Sequence, residues 1–191
     1  MLSANFIFFT LFTFNTQTVN TISNGGSMAI NKEQMRELVK DTLIYLEPEI
    51  KYSKSAEELI VMTIAQETDM GGAIKQIKGP ALGITQIEPR TYKDLYRRLG
   101  YHPYIEKKIN GLASVWWNDQ YRQSGDANPY ELVYNLRYAI AMTRYFYLTK
   151  PGSLPSPDDT KGLAEYYKKY YNTPAGKATV EETIKKYNKY R

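Results

Sequence analysis

A mainly α fold of about seven helices, with little or no β-sheet, is what this 191-residue sequence predicts. Three observations carry the expectation. Apolar residues recur at helical spacing along most of the chain after residue 31. Helix-start signatures are frequent, notably Asn128-Pro129-Tyr130-Glu131 and Thr179-Val180-Glu181-Glu182. No run of alternating apolar and polar residues marks a set of strands, and no internal repeat is present.

The elements follow in order. Residues 1–31 contain no charged side chain. Within them, Phe6 to Phe14 is apolar but too short to span a bilayer as a helix. It fits the core of a signal-like segment, although a basic leading region and a small-residue cleavage site are lacking. The alternative is a start placed upstream, with Met28 as the true first residue after the flexible joint Ser23-Asn24-Gly25-Gly26-Ser27. The chain therefore divides into an uncharged extension, residues 1–27, and one domain, residues 28–191, long enough to bury a core.

In that domain, residues 32–46 place Met35, Leu38, Val39 and Leu46 on one side, and Pro48 closes the segment. Ser55-Ala56-Glu57-Glu58 reads as a capping box for a helix that is apolar nearly all round, hence central and buried. That helix delivers Glu67 in its last turn. Pro89 to Leu99 forms an amphipathic helix stopped at Gly100, and His102-Pro103 reads as loop. The Asn128 signature opens one long helix to about Leu148. Pro151, Pro155 and Pro157 mark a loop, Leu163 to Tyr171 is helical, and a capped helix starts at Thr179.

Composition narrows the chemistry. There is no cysteine and a single histidine, His102. Zinc peptidases need several His, Cys or carboxylate ligands, and thiol peptidases need a thiolate. Bond cleavage in this chain is therefore expected to run on carboxylates. The net charge is +5. From Lys161 onward, eight cations face only Glu165, Glu181 and Glu182. That end suits an anionic polymer, and it equally suits solvated helix faces.

The chemistry-bearing motifs lie in the middle of the chain. Glu67 follows an unbroken apolar stretch, where burial would raise its pKa and keep a proton available for a leaving oxygen. Nineteen residues later, Gln86 sits in Gly83-Ile84-Thr85-Gln86-Ile87-Glu88-Pro89-Arg90-Thr91. This order resembles the soluble lytic transglycosylase branch of the lysozyme superfamily, including phage-encoded members. There a catalytic Glu, usually followed by Ser (here Thr68), precedes a Gly-x-x-Gln-x-x-Pro-x-Thr segment. The family's Ala-Tyr-Asn-Ala-Gly motif is matched loosely by Tyr170-Tyr171-Asn172-Thr173-Pro174-Ala175-Gly176, with two extra residues. Tyr134 to Ala141 resembles its cleft-lining helix.

The resemblance covers roughly residues 55–178 and implies a lysozyme-like transglycosylase domain. Glu67 would be the single acid/base cleaving the MurNAc-GlcNAc β-1,4 bond of peptidoglycan, with no metal or organic cofactor required. Thr68, Gly83, Gln86, Tyr130, Tyr134, Tyr171 and Asn172 would contact substrate. Gly83 would admit close backbone approach to the sugar, Gln86 would bind an N-acetyl group, Tyr171 would stand beside the acid and Asn172 would shape its turn. Tyrosines and Trp116-Trp117 would offer stacking surfaces, although aromatics at helical spacing are more often packing. The implied setting is a phage virion or the host cell envelope. The implied partners are glycan strands and other virion proteins, with no specific nucleic acid and no stable membrane span.

Three other readings compete. A muramidase of the same fold would use Asp69 or Glu88 as a second carboxylate. A structural virion protein would keep the fold without turnover, with Glu67 exposed or ion-paired. A nucleic-acid module using the basic C-terminal end leaves Glu67 and Gln86 unexplained.

Overall fold

The computed structural model describes residues 30–114, 128–173 and 176–191, so the 1–27 extension and Trp116-Trp117 lie outside the described residues. The architecture is mainly α. Eight α-helices are described: α1 (Lys32–Tyr45), α2 (Lys54–Thr68), α3 (Pro89–Leu99), α4 (Pro103–Asn110), α5 (Glu131–Tyr134), α6 (Leu136–Leu148), α7 (Thr160–Tyr167) and α8 (Val180–Asn188). A π-helical segment, Lys168–Asn172, continues α7. Among the described residues there is no sheet, only isolated bridges pairing Leu82 with Lys75 and with Ile87. No described helix is long and apolar enough to cross a membrane.

Helix α2 is the centre of the molecule, as its all-round apolar sequence requires. Eleven of its residues are buried, from Ala56 through Ala65 plus Thr68. It packs against α1, α6, α7 and α8, while α3 and α4 pack on α6. Its N-cap is Ser53, not Ser55. Ser53 is extended, and its hydroxyl accepts from the Ala56 N–H at 3.2 Å, so the helix begins at Lys54. Glu57 and Glu58 thereby fall on buried positions and are held by partners. Glu58 accepts from Arg36 Nη1 (3.0 Å), Lys54 Nζ (2.9 Å) and Tyr187 Oη (2.5 Å), tying α1, α2 and α8 together.

The long helix expected from residue 128 is two helices. Asn128 Oδ1 accepts from the Tyr130 N–H (3.1 Å), but only one turn, α5, follows. At Asn135 the backbone is extended. The side chain accepts from the Tyr138 N–H (3.0 Å), capping α6, and donates to the Leu112 carbonyl (2.5 Å). A capping asparagine with a tertiary partner restarts the helix here. Helix α4 is an addition to the sequence reading, with Pro103 at its first turn and His102 at the N-cap position. At the C-terminal end, the capping box of Thr179 and Glu182 forms as expected.

Candidate active-site cleft

Glu67 lies in the last turn of α2, half-buried, at the edge of a cleft of about 1290 Å³. The opposite wall is the segment from Ala81 to Thr91 that runs into α3. Phe146 of α6, Tyr170 to Thr173 and Gly176 close the third side. Helix α2 ends there because Asp69 takes a left-handed conformation (φ 49°).

The Tyr167 hydroxyl donates to Glu67 Oε1 at 2.5 Å. Burial pushes the Glu67 pKa upward, against lowering contributions from the Tyr167 hydrogen bond and the Lys186 charge. Burial, followed by the Glu67 charge, raises the Tyr167 pKa, so its hydroxyl keeps its proton and remains the donor. Among the described residues, Glu67 forms no ion pair. The result is a carboxyl group with one fixed hydrogen bond, opening on a cleft, and biased toward its protonated form. Comparisons with models of known families, with curated proteins and with solved structures find no significant match.

The tyrosine bonded to the acid is thus Tyr167, not Tyr171. Tyr171 lies one turn further on, its ring stacked at 5.8 Å on that of Tyr167, and its hydroxyl donates to the Thr85 carbonyl (2.7 Å). The Tyr-Asn wording of the sequence motif pointed to Tyr171. Tyr167 stands four residues before Tyr171 in the sequence, a position the motif wording does not single out. Asn172 Oδ1 accepts from Lys168 Nζ (2.9 Å), which also donates to the Gly176 carbonyl (2.8 Å).

Thr68 and Gly83 are placed by packing. Thr68 is buried; its hydroxyl reaches the Ile84 carbonyl (2.8 Å) and accepts from the Gly71 N–H (3.1 Å), fastening α2 to the opposite wall. Gly83 is also buried, with φ +77°, and a Cβ there would lie 2.4 Å from the Leu132 carbonyl oxygen. The backbone that approaches Gly83 is that of Leu132 in α5. Gln86 does line the cleft. Its φ is 53°, and its Nε2 donates to the Gly83 carbonyl (2.7 Å). One N–H is thereby committed, and the remaining N–H and the carbonyl are left at the cleft wall.

Tyr130 and Tyr134 are exposed (45% and 67%), stacked on each other at 6.3 Å with Lys75 over the Tyr130 ring, and do not line the cleft. His102 sits edge-on to Tyr145, also away from it. The two carboxylates weighed as partners of Glu67 separate clearly. Asp69 pairs with Lys189 (3.0 Å) and is not a lining residue, whereas Glu88 is exposed and lines the cleft. Among the described residues, no group of three or more acidic or histidine side chains comes together to hold a metal.

Proposed function

We propose that this protein is a peptidoglycan lytic transglycosylase that cleaves the MurNAc-GlcNAc β-1,4 bond with Glu67 as its single acid/base. The observation that carries the reading is the half-buried Glu67 carboxyl, held by Tyr167 and biased toward protonation, at the wall of an open cleft. A protonated carboxylic acid is what a departing glycosidic oxygen needs. In the reaction, Glu67 gives its proton to that oxygen as the C1–O bond breaks. The carboxylate then takes the proton of the muramyl 6-hydroxyl, whose oxygen closes on C1 to form a 1,6-anhydro ring. No water is consumed and Glu67 ends protonated. Gln86, with free amide capacity at the wall, is suited to an N-acetyl group. Tyr167 orients the acid, a role the motif had placed on Tyr171. The sequence resemblance adds the setting, a phage virion or the host envelope.

A second reading is favoured by one feature. Glu88 shares the cleft with Glu67, as the second carboxylate of a muramidase would. Release of dyed fragments from purified peptidoglycan by wild type, Glu67→Gln and Glu88→Gln tests both. The transglycosylase reading predicts loss with Glu67→Gln alone. Equal loss with Glu88→Gln supports the muramidase, and no release by wild type contradicts both.

A further inference from the structure

The cleft is unevenly charged. Arg90, Lys93 and Arg97 stand at helical spacing on α3, on a stripe opposite the buried Tyr92, Leu95 and Leu99. All three line the cleft, and so does Lys150 from the turn after α6. Three carboxylates share the cleft with these four cations. Asp94 is bound by Arg97 (2.5 Å) and Arg98 (2.8 Å), Glu67 accepts from Tyr167, and Glu88 forms no ion pair among the described residues. Among the described residues, Arg90, Lys93 and Lys150 form no ion pair. Lys150 is half-buried, its ammonium 3.9 Å from the centre of the Phe146 ring. Burial pushes its pKa down, the Arg98 charge adds to this, and Asp94 opposes it.

Three cations of the C-terminal end have partners elsewhere: Lys168 donates to Asn172 Oδ1 and the Gly176 carbonyl, Lys186 donates to the Gln66 carbonyl (2.8 Å) and Lys189 pairs with Asp69. The cleft wall, by contrast, gathers Arg90, Lys93 and Lys150 on one cavity. Like charges gathered along a partly enclosed wall repel one another, and a bound anion relieves that repulsion. Arginines there can grip a carboxylate or phosphate through two N–H groups, while the lysines act as point charges.

We infer that Arg90, Lys93 and Lys150 form a subsite for an anionic substituent of the glycan strand: a peptide-stem carboxylate, or a phosphate of a polymer attached to the wall. The inference rests on the reading of the cleft as a glycan site. Both sources present the same chemistry to the wall, an oxyanion projecting from a neutral sugar chain.

Binding and turnover separate the two claims. Soluble glycan strands are prepared with stems intact, with stems removed by an amidase, and with phosphate polymers removed by acid. Their Kd is measured on wild type, Glu67→Gln and the Arg90→Gln/Lys93→Gln/Lys150→Met variant, alongside cleavage by wild type. The subsite predicts that stripping the anion weakens wild-type binding about tenfold, and that raised salt reduces the gap. The triple variant binds all strands at the weaker level, with an unchanged melting temperature showing that it is folded. Loss on amidase treatment identifies the stem, and loss on phosphate removal identifies the polymer. Equal wild-type affinity for all three strands overturns the subsite, as does a preference that survives in the triple variant, or equal competition by plain duplex DNA. Absent cleavage with the binding preference intact sinks the catalytic reading and leaves the subsite standing.

Discussion

Ionising Glu67 is opposed by its surroundings, and this has consequences for both rate and stability. Its folded pKa is raised, so the folded protein holds this proton at pH values where the unfolded chain has lost it. The associated stability is fully present below the unfolded carboxylate pKa and is lost as pH rises through the folded one. Glu67→Gln keeps the neutral shape, so above that window it should melt no lower than wild type, and higher if ionisation is the main strain. Its activity should fall by about 10²–10⁴-fold. Thermal melts and fragment release on the same samples check both. The Tyr167 bond works in the opposite sense, favouring the carboxylate. Tyr167→Phe should therefore raise the Glu67 pKa further and move the basic limb of the kcat/KM profile to higher pH. An unmoved limb would show that Tyr167 does not bear on the acid.

Between elements, one contact fixes the wall opposite Glu67. Gly83 meets α5 so closely that its Cβ would collide with Leu132 backbone, and its φ is positive as well. Gly83→Ala should cost at least about 2 kcal/mol in urea unfolding and should disturb Gln86, whose side chain hangs on the Gly83 carbonyl. Full stability in this variant would refute the packing account. The glycine's importance was legible in the sequence, but its reason was not, because Leu132 is distant along the chain. The same limit explains the helix break. The start signal at Thr179 depends on neighbours a few residues away and was readable, whereas Asn128 holds only the turn before α5, which starts at Glu131, and the stop at Asn135 depends on the Leu112 carbonyl. Glu67 and Gln86 line one cleft, a pairing suggested by the family resemblance and not by helix order or spacing alone. Tyr167 in place of Tyr171 was not legible, because the chain continues from α7 as a π-helical segment, and so does not follow a simple helical register.

Across the whole molecule, the central α2 must hold its position against α1 and α8 for Glu67 to face the cleft. The Glu58 network provides that tie. Burial alone would raise the Glu58 pKa, but hydrogen bonds from Tyr187, Lys54 and Arg36 outweigh it and leave the pKa lowered. Its stabilisation is therefore present above the unfolded carboxylate pKa and is lost as pH falls through the depressed folded value. Glu58→Gln leaves Arg36 without its charged partner and should cost about 3 kcal/mol at neutral pH. The difference from wild type should shrink toward about pH 4 and below, as the wild-type Glu58 protonates. Urea midpoints across that range measure it, and a pH-independent difference would place the stabilisation outside the ion pairs.

The central claim, that Glu67 alone drives cleavage without added water, is tested most directly by the mass of the fragments released from purified peptidoglycan. The account predicts 1,6-anhydro-muramyl ends, lighter by one water than reducing ends, from wild type and none from Glu67→Gln. Reducing ends from wild type would contradict it and make Glu88 the partner of a hydrolase.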